Sequence, residues 1–188
     1  MSIRGKTAIV GIGETPADRH GSKPGEPRET AAQYLAAAAR LALADAGLRI
    51  KDLDGQGLAA VMVSTYPQPF WPGEAAELLG ISPGLLISGG QGGASAVSVL
   101  GQAAAGITSG LVDLVLCVAA AAPFVESYPG PGSAETRDFE APFGVMGPNS
   151  KIAHVMRRHM HEYGSTAEHF GKIAVTARYH ASLNPSAY

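Results

Sequence analysis

Short apolar runs alternate with helical segments along the first 122 residues of the chain. The runs at residues 7–12, 58–64, 85–88 and 113–122 each predict a strand, because they are short, rich in β-branched or small apolar residues, and bounded by glycine or polar residues. Helical patterns fill the intervals between these runs. This β-α-β-α-β-α-β order predicts an α/β fold with a largely parallel or mixed sheet and helices on both faces.

Three helices are predicted inside this alternation. The first follows a capping-box pattern at Thr30 and Gln33, and the second opens at Trp71-Pro72. The third, over the stretch AVSVLGQAAAGITSG at residues 96–110, is apolar or small on every side, which is typical of a helix that is buried all round. Glycines at positions 47, 80 and 110 are expected to end the three helices.

Residues 123–188 do not continue the alternation of strands and helices. Residues 123–149 are rich in proline and glycine and predict a loop. Two helices then follow, one over residues 151–163 and one from a capping box at Ser165 and Glu168 to about Leu183. The pattern therefore predicts two parts: an α/β unit over residues 1–122 and a loop and helical segment over residues 123–188.

Composition excludes several classes of protein. The chain carries 14 basic and 16 acidic residues, a formal net charge of −2, which argues against nucleic-acid binding. The single cysteine excludes a disulfide framework within one chain and a multi-cysteine zinc site. No run is apolar enough to predict a membrane span, and residues 1–13 lack the pattern of a signal peptide, so we expect a soluble cytoplasmic protein.

Several motifs suggest a functional site but do not have the full pattern that such a site requires. Gly11-Ile-Gly13 follows a predicted strand but lacks the third glycine and the helix of a dinucleotide-binding fingerprint. Cys117 lies in an apolar run and is interpreted as a small buried hydrophobe. His159 and His161 are two residues apart on a predicted helix and point in different directions, so no metal site is predicted.

The glycine-rich stretch Gly89-Gly-Gln-Gly-Gly-Ala-Ser95 is the strongest candidate site. It joins a predicted strand to the apolar helix, and free backbone N–H groups at a helix N-terminus favour an anion or a developing oxyanion. We therefore place a substrate or oxyanion region at Gly92, Gly93 and Ser95. The stretch is neither a P-loop nor a G-x-S-x-G nucleophile elbow, and a tightly packed turn without chemistry stays open as the alternative.

Four segments together resemble a known family. They are AIVGIGETP, LADAGL, SGLVDLVLCVAA and the closing stretch HVMRRHMHEYGSTAEHFGKIAVTARYHASLNPSAY. All four are similar to the thiolase superfamily, especially its lipid-transfer-protein type. The resemblance implies the N-terminal half of a thiolase-like fold, with the apolar helix as a buried central layer, followed by a helical loop domain. It also implies a C-terminal half, absent here because the chain is a fragment or because another polypeptide supplies it.

One departure from the family pattern bears on the chemistry. The acylated cysteine of the family lies in a pattern like N-x-x-C-x-x-G, which aligns here with Ile87 and Gly90. Glycine cannot form a thioester, so the usual thiolytic route is not expected. Members of the superfamily without this cysteine include aldolases that work with an OB-fold partner of the DUF35 type. These resemble thiolases but cleave 3-hydroxyacyl-CoA by retro-aldol chemistry, notably in steroid side-chain degradation.

The resemblance therefore implies an acyl-CoA aldolase, a C–C lyase that is inactive without its missing half or a partner. It also implies a homodimer with residues 86–88 near its interface, a DUF35 partner, acyl-CoA as substrate, no cofactor, and a catalytic base outside this chain. Two alternatives stay open. One is a thiolase-type acetyl-CoA acyltransferase that uses Ser88 or Ser95, and the other is a non-catalytic subunit that binds acyl-CoA or lipid or acts as a scaffold.

Overall fold

The computed structural model describes residues 2–16, 29–62, 70–89, 91–122, 136–145 and 147–187 of the 188-residue chain. The chain divides into two compact units, Met1–Tyr128 and Pro129–Tyr188. Among the described residues, the first unit holds every strand and three α-helices, whereas the second holds only helical elements.

The first unit follows the predicted alternation closely. Its helices are α1, α2 and α3 and its strands are β1, β2 and β3, with two short 3₁₀ turns at Ile50–Leu53 and Gly92–Ala94. In chain order the main elements are α1 Ala31–Asp45, β1 Gly57–Met62, α2 Trp71–Leu79, β2 Leu85–Ser88, α3 Ser95–Thr108 and β3 Val115–Ala120. The structure confirms the predicted α/β fold class, all three helices and three of the four predicted strands.

Local signals set the helix ends. Thr30 caps α1: its hydroxyl accepts from the backbone N–H of Gln33 at 3.3 Å, and the Gln33 side chain accepts from the N–H of Thr30 at 2.7 Å. Gly47 and Gly80 follow α1 and α2 with φ of 69° and 67°, the left-handed conformation that glycine adopts without strain.

The three strands form a parallel sheet in the order β2-β1-β3. The chain moves from β1 to β2 through α2, and then crosses back over β1 through α3 to reach β3. Right-handed crossovers in opposite directions place their helices on opposite faces of the sheet. Accordingly, α1 and α2 cover one face, and α3 lies on the other.

Each face of the sheet has its own hydrophobic cluster. The larger cluster packs α1 and α2 on the sheet and includes Leu35, Leu53, Leu58 and Trp71, all buried. The smaller cluster packs α3 on the opposite face through Ala59, Val61, Ile87, Val99 and Ala103. Burial of these side chains is the main stabilising contribution, because apolar area removed from water is worth roughly 25 cal/mol per Å².

The prediction of a strand at residues 7–12 is wrong for this structure. These residues are described but pair with no strand. Instead the segment crosses α1, where the N–H of Ile12 donates to the Asp45 carboxylate at 2.9 Å. Gly11 and Gly13 lie so close to the backbone around Ala42 that a Cβ on either glycine would clash. A β-branched run becomes a strand only where a partner edge is within hydrogen-bonding reach.

A cavity of about 740 Å³ separates this segment from the open edge of β3. Its walls come from α1, α3 and the two extended stretches at residues 6–13 and 113–119. The side chains that α1 and α3 contribute are small or apolar, namely Ala38, Ala39, Ala42, Leu100, Ala103, Ala104 and Ile107. The edge of β3 is therefore uncovered on the side that faces residues 7–12.

Two burial predictions also need correction. The third helix was expected to be buried on every side, but only Ser95, Val99, Ala103 and Gly106 of α3 are buried. On its outer face Val97 is 74% exposed and Leu100 is 44% exposed. The last strand was expected to be fully buried, but residues of β3 alternate between buried and partly exposed up to Val118. In both cases the element has more apolar surface than the described part of the chain covers.

The second unit contains a short π-helical turn at Thr136–Glu140, a 3₁₀ turn at Ala141–Phe143, and the helices α4, Gly147–Tyr163, and α5, Ala167–Ser182. Thr166 and His169 form the capping box of α5, one residue later than the predicted Ser165 and Glu168. None of the described side chains in this unit is buried. Among the described helices of the chain, none combines the length and apolar character that a membrane crossing requires.

Candidate functional site

The glycine-rich loop lies where the sheet topology favours ligand binding. It leaves the carboxyl end of β2 and leads into α3, the helix that crosses back over β1. The crossovers from β1 and from β2 run in opposite directions, so β1 and β2 lie at the point where the winding of the sheet reverses. Ligands of open α/β sheets bind outside the carboxyl ends of the strands at such a point.

The described part of the loop forms a tight turn before α3. Residues Gly92–Ala94 make a 3₁₀ turn, and the N–H of Ala94 donates to the carbonyl of Gln91 at 3.2 Å. Among the described residues, no backbone acceptor is found for the N–H groups of Gly92 and Gly93, which precede this bond. Two glycine N–H groups beside a helix N-terminus form a suitable environment for negative charge on a substrate oxygen.

Ser95 is the first residue of α3 and is only 5% exposed. Its hydroxyl oxygen accepts a hydrogen bond from the backbone N–H of Gln91 at 3.0 Å. The structure thus brings Ser95 together with the loop that holds Gly92 and Gly93. Its burial argues against Ser95 as the nucleophile of an acyltransferase, because the hydroxyl is already engaged and turned away from solvent.

Close packing at Gly89 adds a structural requirement to what the sequence predicts for this stretch. A Cβ at this position would lie 2.9 Å from both the Ser95 Cβ and the Val61 side chain, so only glycine fits without displacing them. The signal in the sequence was a glycine directly after a strand, which marks a close backbone approach. Gly90, which the resemblance aligns with the family's cysteine, lies outside the described residues.

The other candidates do not join this loop. Ser88 is exposed at the end of β2, and no hydrogen bond from its hydroxyl is found among the described residues. Cys117 lies within β3, where desolvation by burial raises the pKa of the thiol. A raised pKa keeps the sulfur protonated, which agrees with the interpretation of Cys117 as a packing residue rather than a nucleophile.

His159 of α4 makes contacts with nearby residues of the second unit. His159 shares a 3.0 Å hydrogen bond with the Ser165 hydroxyl and packs against Tyr163 and Phe170. Within the described ranges of the chain, no three His, Cys, Asp or Glu side chains gather as ligands of one metal ion would.

Two known proteins similar to this chain are named as an aldolase and a CoA lyase. The chain is 33% identical over 197 residues to the steroid side-chain-cleaving aldolase of Thermomonospora curvata, a match that covers 99% of this chain and 47% of that protein. It is 34% identical over 201 residues to the 17-hydroxy-3-oxo-4-pregnene-20-carboxyl-CoA lyase of Mycobacterium tuberculosis, covering 99% and 48%. No family model matches the chain.

A more distant relative and a solved structure complete the comparison. The acetyl-CoA acetyltransferase of Methanothermobacter thermautotrophicus is 28% identical over 184 residues, covering 96% of this chain and 46% of that protein. The structure of an Ltp2-ChsH2(DUF35) aldolase matches with a TM-score of 0.72 and 32% identity, covering 96% of this chain and 44% of that chain. The chain therefore spans about half the length of the curated relatives it matches.

Proposed function

The expected resemblance to thiolase-like proteins of the lipid-transfer type is confirmed, and from it we propose that this chain is one half of an acyl-CoA aldolase. The observation that carries the proposal is its similarity, over 99% of its length, to a protein named steroid side-chain-cleaving aldolase and to one named 17-hydroxy-3-oxo-4-pregnene-20-carboxyl-CoA lyase. The proposed reaction is retro-aldol cleavage of a 3-hydroxyacyl-CoA, with a steroid side chain as the proposed acyl class.

The sequence at the glycine loop supports lyase chemistry over thiolysis. Gly90 occupies the position of the family's acylated cysteine, so this chain supplies no thiol there. Cys117, the single cysteine, lies in a strand and has a raised pKa. A retro-aldol reaction needs no covalent intermediate with the protein, so the loss of that cysteine is compatible with it.

The proposed step balances without a cofactor. A base removes the proton of the 3-hydroxyl group, and the C3–O bond becomes a carbonyl as the C2–C3 bond breaks. The electron pair of that bond moves into the thioester, which becomes an enolate with negative charge on its oxygen. The N–H groups of Gly92 and Gly93 are the proposed donors to this oxygen, an interaction that strengthens as the charge develops. Protonation at C2 releases the shortened acyl-CoA.

The chain requires partners under this proposal. We propose that the rest of the relatives' length, about half of each, corresponds to a second, C-terminal half that carries the base. The solved structure with 32% identity is named as an aldolase with a DUF35 protein, so a DUF35 partner is proposed here too. A homodimer is proposed through β2, an outer strand of the sheet on which Leu86 is 48% exposed.

An acyltransferase is the second candidate function, because the 28% identical relative is named acetyl-CoA acetyltransferase. It would need a nucleophile from outside the loop or from Ser88, since Ser95 is buried and bonded to Gln91. The remaining alternative is a subunit that binds acyl-CoA or lipid, or that only holds a partner, without turnover.

The test begins with the intact mass of the polypeptide from its native source. A mass near twice 19.2 kDa identifies the chain as part of a longer product, and a mass of 19.2 kDa directs the search to co-purifying subunits. The complete assembly is then assayed with a 3-hydroxyacyl-CoA in the absence of free CoA. Cleavage supports the aldolase. CoA-dependent cleavage of a 3-ketoacyl-CoA supports the acyltransferase instead, and binding without turnover supports the scaffold.

A further inference from the structure

We infer that Ser95 is a positioning residue for the glycine loop: its buried hydroxyl holds the N–H of Gln91, which sets where the N–H groups of Gly92 and Gly93 point. The inference rests on the proposed function, because it assigns the loop the task of meeting the enolate oxygen. It adds a residue that touches neither substrate nor reacting atoms but fixes the groups that do.

The direction of the hydrogen bond is the first argument. A serine at the start of a helix ordinarily accepts from an N–H two or three residues further along. Here Ala94 occupies the N-cap position without a side-chain hydrogen bond, and Ser95 accepts from Gln91, four residues back. The hydroxyl therefore stabilises the loop rather than its own helix.

The surroundings of Ser95 are the second argument. Ser95 lies on the same face of α3 as Val99 and Ala103, the face that packs on the sheet. It is the buried polar residue of an otherwise apolar layer, and a hydrogen bond in such surroundings is stronger than one exposed to water. The contact thus anchors a flexible glycine stretch to the rigid core.

Gly89 provides the third argument. The backbone at Gly89 approaches the Ser95 Cβ and the Val61 side chain so closely that no side chain fits there. The loop is therefore held at two points on either side of Gly90: by close packing at Gly89 and by the Ser95 hydroxyl at Gln91. The Gln91 contact lies directly before Gly92 and Gly93, so it fixes the start of the turn that holds their N–H groups.

The test compares Ser95→Ala with Ser98→Ala in the complete assembly. Ser98 is one turn further along α3, and in the described part of the chain its hydroxyl accepts from the Gln102 side chain. We expect Ser95→Ala to lower kcat about tenfold to hundredfold while KM for the acyl-CoA changes less than about twofold, because a displaced transition-state donor affects kcat first. Ser98→Ala should match the unchanged protein.

Amide hydrogen exchange supplies a readout besides activity. Exchange at the Gln91 amide should accelerate in Ser95→Ala, while amides in the middle of α3 stay protected. If Ser95→Ala fails to fold, Ser95→Cys takes its place, because a thiol of similar size is a weaker acceptor. A partial loss of kcat in Ser95→Cys supports the inference, and full activity of either variant overturns it.

The two proposals fail in different ways. An assembly that does not cleave any 3-hydroxyacyl-CoA before mutation removes the proposed function, and the role of Ser95 with it. An active assembly in which Ser95→Ala keeps its full kcat removes only the inference about Ser95. A variant that loses kcat and α3 protection together also counts against it, since Ser95 would then stabilise the fold as a whole.

Discussion

The carboxylate of Asp45 accepts a hydrogen bond from the backbone N–H of Ile12 at 2.9 Å, across 33 positions of sequence. Asp45 lies in the last turn of α1, where the helix dipole disfavours a negative charge. The N–H of Ile12 offsets this, and the same bond holds residues 7–13 over α1 instead of against β3. One carboxylate therefore contributes to keeping the β3 edge open.

Replacing Asp45 by alanine should release this segment. We expect exchange of the Ile12 amide to increase about tenfold, since a hydrogen bond to a charged group is lost. Because Asp45 is exposed and the helix dipole then improves, the free energy of unfolding should change by less than about 1 kcal/mol. Glu77→Ala is the matched control, an exposed acidic residue in the last turn of α2. Equal exchange in both variants would show that Asp45 does not hold the segment.

The segment at residues 7–12 should be able to pair with β3. Paired strands bring opposite Cα atoms to about 5.5 Å, within the range of a disulfide. Ile9→Cys and Val10→Cys each place a thiol in the cavity that Cys117 also lines. Since neighbouring side chains of a strand point to opposite faces, we expect only one of the two to cross-link to Cys117 under mild oxidation. Mass spectrometry with a Cys117→Ser control reads this out, and no cross-link in either variant would contradict the pairing.

Core and surface positions of α1 should differ sharply in stability. Leu35 is fully buried, so Leu35→Ala is expected to lower the free energy of unfolding by about 2–5 kcal/mol. Leu41 lies in the same helix but is 45% exposed, and Leu41→Ala should change it by less than about 1 kcal/mol. Urea denaturation of both variants measures the difference. Similar losses would mean that the inner face of α1 is misassigned.

The reactivity of Cys117 should depend on pH in a characteristic way. Desolvation by burial raises the pKa of its thiol, so alkylation is expected to be slower than that of free cysteine near neutral pH and to keep rising at alkaline pH. A raised pKa also contributes stability that is present below the ordinary thiol pKa and is lost as the pH rises through the folded value. Rates with iodoacetamide from pH 7 to 10, in native buffer and in denaturant, test this. Identical profiles in the two conditions would refute it.

Restoring a cysteine at position 90 should not restore thiolysis. Under the aldolase proposal, the rest of the site serves retro-aldol chemistry, and a thiol at Gly90 lacks the base that would activate it. We expect the complete assembly with Gly90→Cys to show no efficient CoA-dependent cleavage of a 3-ketoacyl-CoA. Robust turnover of that substrate would favour the acyltransferase alternative.

Local signals in the sequence predicted the ends of the elements well. The Thr30 and Gln33 capping box, the glycines after α1 and α2, and the strand at Leu85–Ser88 all lie where the patterns place them. Each depends on interactions within a few residues. The capping box of α5 was one residue off because Ser165 and Thr166 are both good N-cap residues, and His169 replaces the expected glutamate.

The errors concern contacts that local sequence patterns do not encode. Residues 7–12 have the composition of a strand, but pairing depends on a distant edge, and the Asp45 contact competes for the segment. Every face of α3 is apolar or small in sequence, so its sequence does not indicate which face packs against the rest of the chain. At the candidate site, the glycine pattern indicated a turn before α3, and the role of Gly92 and Gly93 stays a prediction. The contact of Ser95 with Gln91 depends on how the loop bends and not on composition.

The separation between the glycine loop and the two hydrophobic clusters has an evolutionary consequence. None of the described residues of the loop from Gly89 to Ala94 belongs to either cluster, although Gly89 lies against Val61 of the smaller one. Substitutions at its solvent-facing positions therefore change what the loop does to a substrate without much change in the free energy of folding. A protein with this architecture can lose one catalytic mechanism and gain another while its fold stays the same. The residues that determine the chemistry of the loop and those that form the hydrophobic clusters are largely different.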